Sequence, residues 1–220
     1  MTARPVATPA PGRAPGGLGR RVQATDLAVE AWVARRRSGA LDSTAHLLSS
    51  AADRGKVWAA IAAVRALTDR EGGRSAASRA LITIGIQSAV VEGLVKRTTR
   101  RGRPDAHVPL RFRARRPPST SFPSGHAASA AAGALLLSDG MPGWRAPLGL
   151  LAVAVAWSRV QTGLHHLSDV LAGLALGAAV GLIVRRLIPL HPSSRSEEEA
   201  AASAVGPGAA RDLRVHSLVQ

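Results

Sequence analysis

Apolar and polar positions alternate along this chain in blocks rather than in a two-residue rhythm, and each block is long enough for a helix and too long for a strand. The pattern predicts helices over Gln23–Arg37 and Asp42–Ala52, both only weakly amphipathic. Leu27, Ala31 and Ala34 are set to line one face of the first, and Leu47, Leu48 and Ala51 one face of the second. Apolar runs follow at Val57–Val64, Ala80–Val95, Ala127–Leu137, Ala146–Trp157 and Val170–Val184. Ser38-Gly39, Gly72-Gly73 and the DGMPGWR stretch at Asp139–Arg145 punctuate them, and Asp69–Arg79 reads as a polar turn. Arg65 interrupts the third segment, where its long stem is expected to snorkel. In the last run Gly173, Gly177 and Gly181 recur every fourth residue. That spacing makes a smooth ridge against which another helix packs closely.

No run reaches the roughly 20 uninterrupted apolar residues of an unambiguous membrane span, so a soluble helical core stays open. Charge shifts the balance. The net charge is +15, almost all of it from Arg, and the Arg residues collect between the apolar runs. The expectation is an all-α, multi-pass membrane bundle of about six helices. It occupies residues 23–190, flanked by a disordered basic tail at 1–22 and a disordered tail at 191–220. The chain has no Cys, which excludes disulfides and thiolate metal sites. With Tyr absent and Phe scarce, it lacks the stacking platforms of a single-strand nucleic-acid binder, and no nucleic-acid partner is expected.

Three polar clusters carry candidate chemistry. In SRVQTGLHHLSD, Ser158–Asp169, His165 and Asp169 are four apart and on a helix would share a face. An Asp there accepts from one ring nitrogen of His165 and leaves the other basic. Arg159 supplies a permanently charged fork for a phosphate. In SFPSGH, Ser124 is a good helix cap and Gly125 allows close approach, so free backbone N–H groups make an anion site. His126 stands at its edge, placed to give a proton to a leaving oxygen. In KRTTRRGRP, Lys96 ends an apolar helix and Arg103 follows seven residues later, so both can reach one anion. Taken singly, each cluster is also explained as a cap, an interfacial His or topogenic charge.

Together they read Lys-x6-Arg-Pro, Pro-Ser-Gly-His and Ser-Arg-x5-His-x3-Asp. In that order they resemble the signature of the type 2 phosphatidic acid phosphatase (PAP2) family, whose superfamily also includes vanadium haloperoxidases. The resemblance runs from about residue 41 to residue 190. It implies that Lys96, Arg103 and Arg159 bind the phosphate oxygens, with Ser124 and the Gly125 amide adding hydrogen bonds. It implies that His165 attacks phosphorus, Asp169 orients it, and His126 protonates the departing alcohol and then activates water. No metal or other cofactor is needed, because Lys and Arg supply the charge. His166 stands where relatives often carry an aromatic residue and is expected at the pocket mouth.

The implied function is a cell-membrane phosphatase acting on a lipid phosphate in the bilayer. Polyprenyl phosphates, prenyl-linked phosphoribose phosphates such as the decaprenylphosphoryl kind, phosphatidate and phosphatidylglycerol phosphate all fit. The alternatives are a vanadate-dependent haloperoxidase and a catalytically inactive basic membrane-associated binding protein. Arg97, Arg100, Arg101, Arg111, Arg113, Arg115 and Arg116 lie on the active-site side, which leans that side toward the cytoplasm.

Overall fold

The structure is a computed structural model, and it describes residues 17–69, 72–104 and 119–190. Among these the chain forms seven helices and no strand. They are α1 (Gly17–Arg35), α2 (Gly39–Ala51), α3 (Lys56–Thr68), α4 (Gly73–Val90), α5 (Gly125–Leu137), α6 (Pro142–Gln161) and α7 (Leu167–Leu187). A π-helical turn, Val91–Val95, and a last turn, Lys96–Thr98, continue α4. The outer parts of the two expected tails, and the arginines at 111, 113, 115 and 116, lie outside the described residues.

α5 is the centre. It packs on α3, α4, α6 and α7, and nearly all of it is buried. Its small residues let four neighbours close in. The glycine ridge of α7 meets α5 backbone to backbone: a Cβ at Gly173 would lie 2.4 Å from the Ser124 carbonyl oxygen, and one at Gly177 2.0 Å from that of Ala128. Gly133 of α5 serves α3 in the same way, since a Cβ there would sit 2.7 Å from the Trp58 ring.

The distribution of polarity is reversed relative to a water-soluble bundle. Leu47, Leu67, Ile82, Ile86, Leu150, Val153 and Ile183 are exposed, while Asp42, Arg65, Arg79, Gln87, Gln161 and Asp169 are buried. A surface of aliphatic side chains over a polar interior suits a hydrocarbon surround. Among the described residues two helices, Gly73–Thr98 and Leu167–Leu187, are long and apolar enough to cross a membrane.

This distribution sets which way the apolar faces of the first two helices point. Leu27 and Leu47 point outward; α1 buries Asp26 and Val33, and α2 buries Asp42, Ala45 and Ser49. Polar bonds decide it. Asp42 accepts from Gln161 (2.9 Å) and Arg37 (3.2 Å). Asp26 accepts from the Ser168 amide (2.9 Å). Helix α1 also starts at Gly17, six residues before Gln23 and inside the stretch expected to be a disordered tail.

Arg65 does not snorkel. It stays within α3, buried, paired with Asp69 (2.9 Å) and donating to the Asp139 carbonyl (2.9 Å). Nor is Asp69–Arg79 all turn. Helix α4 starts at Gly73, where the missing side chain admits the Arg65 carbonyl, and Arg79 reaches Asp139 (2.6 Å) from inside the helix. Asp139 also pairs with Arg185 (2.9 Å), so its carboxylate ties α4 to α7 while its carbonyl holds α3, at the end of the bundle away from the histidines.

Candidate active site

The three motif clusters converge at the opposite end. The C-terminal turn of α4 brings Lys96, the start of α5 brings Ser124, Gly125 and His126, the end of α6 brings Arg159, and the entry to α7 brings His165 and Asp169. Helix starts and ends meet here because antiparallel neighbours alternate direction. The positive ends of α5 and α7 therefore share one space with three cationic side chains.

At the start of α5, Ser124 caps the helix, its Oγ accepting from the Ala127 amide (3.5 Å). Its own amide donates to the Asp169 carbonyl (3.0 Å), which fixes the two helix starts together. The His126 Nε2 lies 2.9 Å from Asp53 Oδ1.

His165 is not on a helix, contrary to the shared-face expectation. It lies in the loop before α7, with Asp169 inside the first turn. The loop is held by bonds from the Leu164 (3.0 Å) and His165 (3.1 Å) amides to the Arg159 carbonyl, and by Arg103 Nη1 donating to the Leu164 carbonyl (2.7 Å). The two side chains still face each other. His165 Nδ1 faces Asp169 Oδ2 at 3.7 Å, just beyond hydrogen-bond length. Asp169 is fully buried and held on both oxygens: Oδ2 accepts from the His166 amide (2.9 Å) and Oδ1 from Arg101 (2.7 Å). Burial pushes the His165 imidazolium down to about 4, and the nearby Arg159 and Arg103 charges act in the same direction against the pull of Asp169. At neutral pH the ring is an unprotonated base.

Arg159 is buried, donates to Ser49 Oγ, and lies 3.9 Å from Asp53. Lys96 is buried and paired with Glu92 (2.5 Å) one turn earlier. Arg103 also donates to the carbonyls of Ser119 (3.1 Å) and Thr120 (3.3 Å). All eight candidate residues thus lie at one end of the bundle. His166 is set back from them, its Nδ1 against Glu30 (2.5 Å), beside a cavity of about 600 Å³ that Asp26, Arg101 and Arg103 also line.

Several residues at this end carried no signal of their own in the sequence. Asp53 lies in the short linker between α2 and α3, and its place between two predicted helices was the one available hint. Arg101 bridges Asp169 to Asp26 (2.5 Å), tying α1 to the His165 loop. Glu92 reads only as a break in an apolar run. Among the described residues no cluster of acidic or imidazole side chains is arranged to hold a metal ion.

A pair of histidines, one backed by a buried carboxylate, faces a cluster of guanidinium and ammonium groups; such a group can clamp an oxyanion and exchange it through nitrogen. The PAP2 superfamily profile matches residues 76–192, a stretch that carries every one of the eight. The chain belongs to the PAP2 superfamily. Among curated PAP2-type relatives, the decaprenylphosphoryl-5-phosphoribose phosphatase of Mycobacterium tuberculosis is 45% identical over 93 residues, 41% of this chain and 50% of that protein. The chain thus spans about half the length of that relative. The enzyme of the same name from Mycolicibacterium smegmatis is 35% identical over 152 residues, covering 67% of this chain and 78% of that protein. The PAP2 fold is seen again in the transmembrane phosphatidylglycerolphosphate phosphatase from Bacillus subtilis, with a TM-score of 0.60 and 25% identity over 76% of this chain and 86% of that one.

Proposed function

We propose that the protein is a membrane-embedded, metal-independent phosphatase that hydrolyses a lipid phosphate through a phosphohistidine on His165. The observation that carries the reading is His165 itself: a buried, unprotonated imidazole backed by Asp169 and set among Arg159 and Arg103. In the first step the free ring nitrogen of His165 attacks phosphorus, the P–O bond to the lipid breaks, and His126 protonates the departing oxygen. In the second step His126 takes a proton from water, the water oxygen attacks phosphorus, and the N–P bond pair returns to His165. Lys96, Arg103 and Arg159 hold the non-bridging oxygens, with the Ser124 hydroxyl and the Gly125 amide completing the cradle.

A lipid substrate is supported by the surroundings. A groove of about 440 Å³ starts at Gly125 and His126 and runs between α3 and α4 past Ala59, Leu81 and Ile84. It opens on the aliphatic outer surface, where an acyl or prenyl chain would lie. Among lipid phosphates, prenyl-linked phosphoribose phosphates are favoured by the two mycobacterial relatives that act on them. By the positive-inside rule the arginine-rich end of the bundle, and with it the site, faces the cytoplasm.

The test is phosphate release by the detergent-purified protein in EDTA. The panel offers a prenyl-phosphoryl-pentose phosphate, a polyprenyl phosphate, phosphatidate and phosphatidylglycerol phosphate, with His165→Ala as control. Release from the pentose phosphate above the others, lost in the control, is expected. Release that persists in His165→Ala would overturn the mechanism.

A further inference from the structure

We propose that Asp53 is the positioning residue of the second histidine, holding His126 through Nε2 so that Nδ1 is the nitrogen that exchanges protons with the substrate. The inference rests on the reading of His126 as the acid of the first step. Three observations carry it. The Asp53 Oδ1 to His126 Nε2 distance is 2.9 Å, a well-formed hydrogen bond and shorter than the 3.7 Å between His165 and Asp169. The same carboxylate oxygen lies 3.9 Å from Arg159 Nη1, so Asp53 spans the acid and the phosphate clamp. The backbone is also bent to deliver it: Arg54 (φ 55°) and Gly55 (φ 73°) follow in consecutive left-handed conformations. A non-glycine residue in that region is uncommon and clusters at functional sites.

Each histidine therefore has a carboxylate of its own. The two are built differently. Asp169 is buried and fixed by an amide and a guanidinium, while Asp53 is 53% exposed on a linker. The difference matches the two tasks. A nucleophile must keep one geometry, whereas the acid cycles between imidazolium and imidazole. In the first step the imidazolium gives its Nδ1 proton to the lipid oxygen as that oxygen takes the P–O electron pair. In the second it recovers a proton from water at the same nitrogen. Throughout, Nε2–H stays on Asp53, which fixes the tautomer and keeps Nδ1 as the exchanging nitrogen.

The experiment compares kcat/KM for two monoesters, dodecyl phosphate and p-nitrophenyl phosphate, in EDTA. Dodecanol is a poor leaving group that needs the proton; nitrophenolate departs without it. Because kcat/KM covers steps only through phosphohistidine formation, hydrolysis of the intermediate does not enter. His126→Ala should lose about 100-fold or more on dodecyl phosphate and under about tenfold on p-nitrophenyl phosphate. Asp53→Asn should follow the same pattern at smaller size, about tenfold against near unity, with Asp53→Glu recovering part of the loss. Thermal melts of the variants in detergent should coincide with wild type, since Asp53 is on an exposed turn. Equal losses on both esters in Asp53→Asn would overturn the inference and leave Asp53 a structural residue. A lower KM for both esters would also overturn it, marking the carboxylate as an occupant of the phosphate seat. If His126→Ala shows no leaving-group dependence, the acid role proposed for His126 fails first and takes this inference with it.

Discussion

Replacing Gly173 by Ala tests whether catalysis depends on how closely α5 and α7 approach. The added Cβ would stand 2.4 Å from the Ser124 carbonyl oxygen and 3.1 Å from the Ala127 Cβ. An ordinary carbon–oxygen contact is about 3.4 Å, so the two helix starts must part by about 1 Å. Ser124, Gly125 and His126 ride on one of these starts, and Asp169 on the other behind His165. A displacement of about 1 Å between reacting groups costs about 100-fold, or about 2.7 kcal/mol in the barrier. Overpacking adds a loss of stability of about 1–3 kcal/mol. Gly181→Ala is the matched control: its Cβ would meet the Leu135 Cδ1 at 3.2 Å, the tip of a side chain that can yield. The assay is kcat/KM on p-nitrophenyl phosphate, with a tryptophan-fluorescence melt for each variant. Gly173→Ala is expected to fall about 100-fold and Gly181→Ala less than about threefold. Equal activity in the two variants would refute the idea that this contact sets the site.

Arg159→Lys should lower kcat/KM by about 100-fold, because a point charge on a flexible stem cannot reproduce the buried fork; unchanged kinetics would remove Arg159 from the clamp. Rapid quench with 32P-labelled substrate should trap an acid-labile, base-stable phosphoenzyme in wild type and none in His165→Ala. The pH dependence follows from the shift of His165 from 6.5 to about 4. The nucleophile must be unprotonated, so on p-nitrophenyl phosphate, whose departure needs no proton from His126, kcat/KM should stay level from pH 7 to about 5 and fall tenfold per unit only below about 4; a limb near 6.5 would contradict the buried base. The same shift means the unfolded chain binds more protons between pH 4 and 6.5. Stability contributed by His165 is therefore complete above 6.5 and declines as pH falls through that window, readable as melting temperature.

The site was legible because its chemistry needs residue types that few other roles demand together. Lys96, Arg103, Ser124, His126, Arg159, His165 and Asp169 stood out by kind and spacing, and the fold gathers them at one end. Asp53 was not legible: a lone Asp in a short linker has no spacing to mark it, and tertiary packing brings it to His126. The direction in which the apolar faces of α1 and α2 point was not legible for a related reason. Periodicity says that leucines share a face and is silent about whether that face meets protein or lipid. Here Leu27 and Leu47 face outward while Asp26 and Asp42 are fixed inside by Arg101, Ser168 and Gln161. His165 looked helical by its distance from Asp169; the tight Thr162–His166 connection, with Gly163 at φ 64°, places it before the helix and keeps it near the carboxylate by another route.

The π-helical turn at Val91–Val95 makes the end of α4 a matter of counting. Such a turn holds one residue more than an α turn. Rewinding that turn to α without removing a residue would swing everything after it by about 100°. Lys96 would keep its identity, its neighbours and its motif, and would point elsewhere. The winding of the backbone in this stretch is thus as much a part of the proposed phosphate site as any side chain in it. Comparison of relatives by residue type alone would not register the loss of this winding.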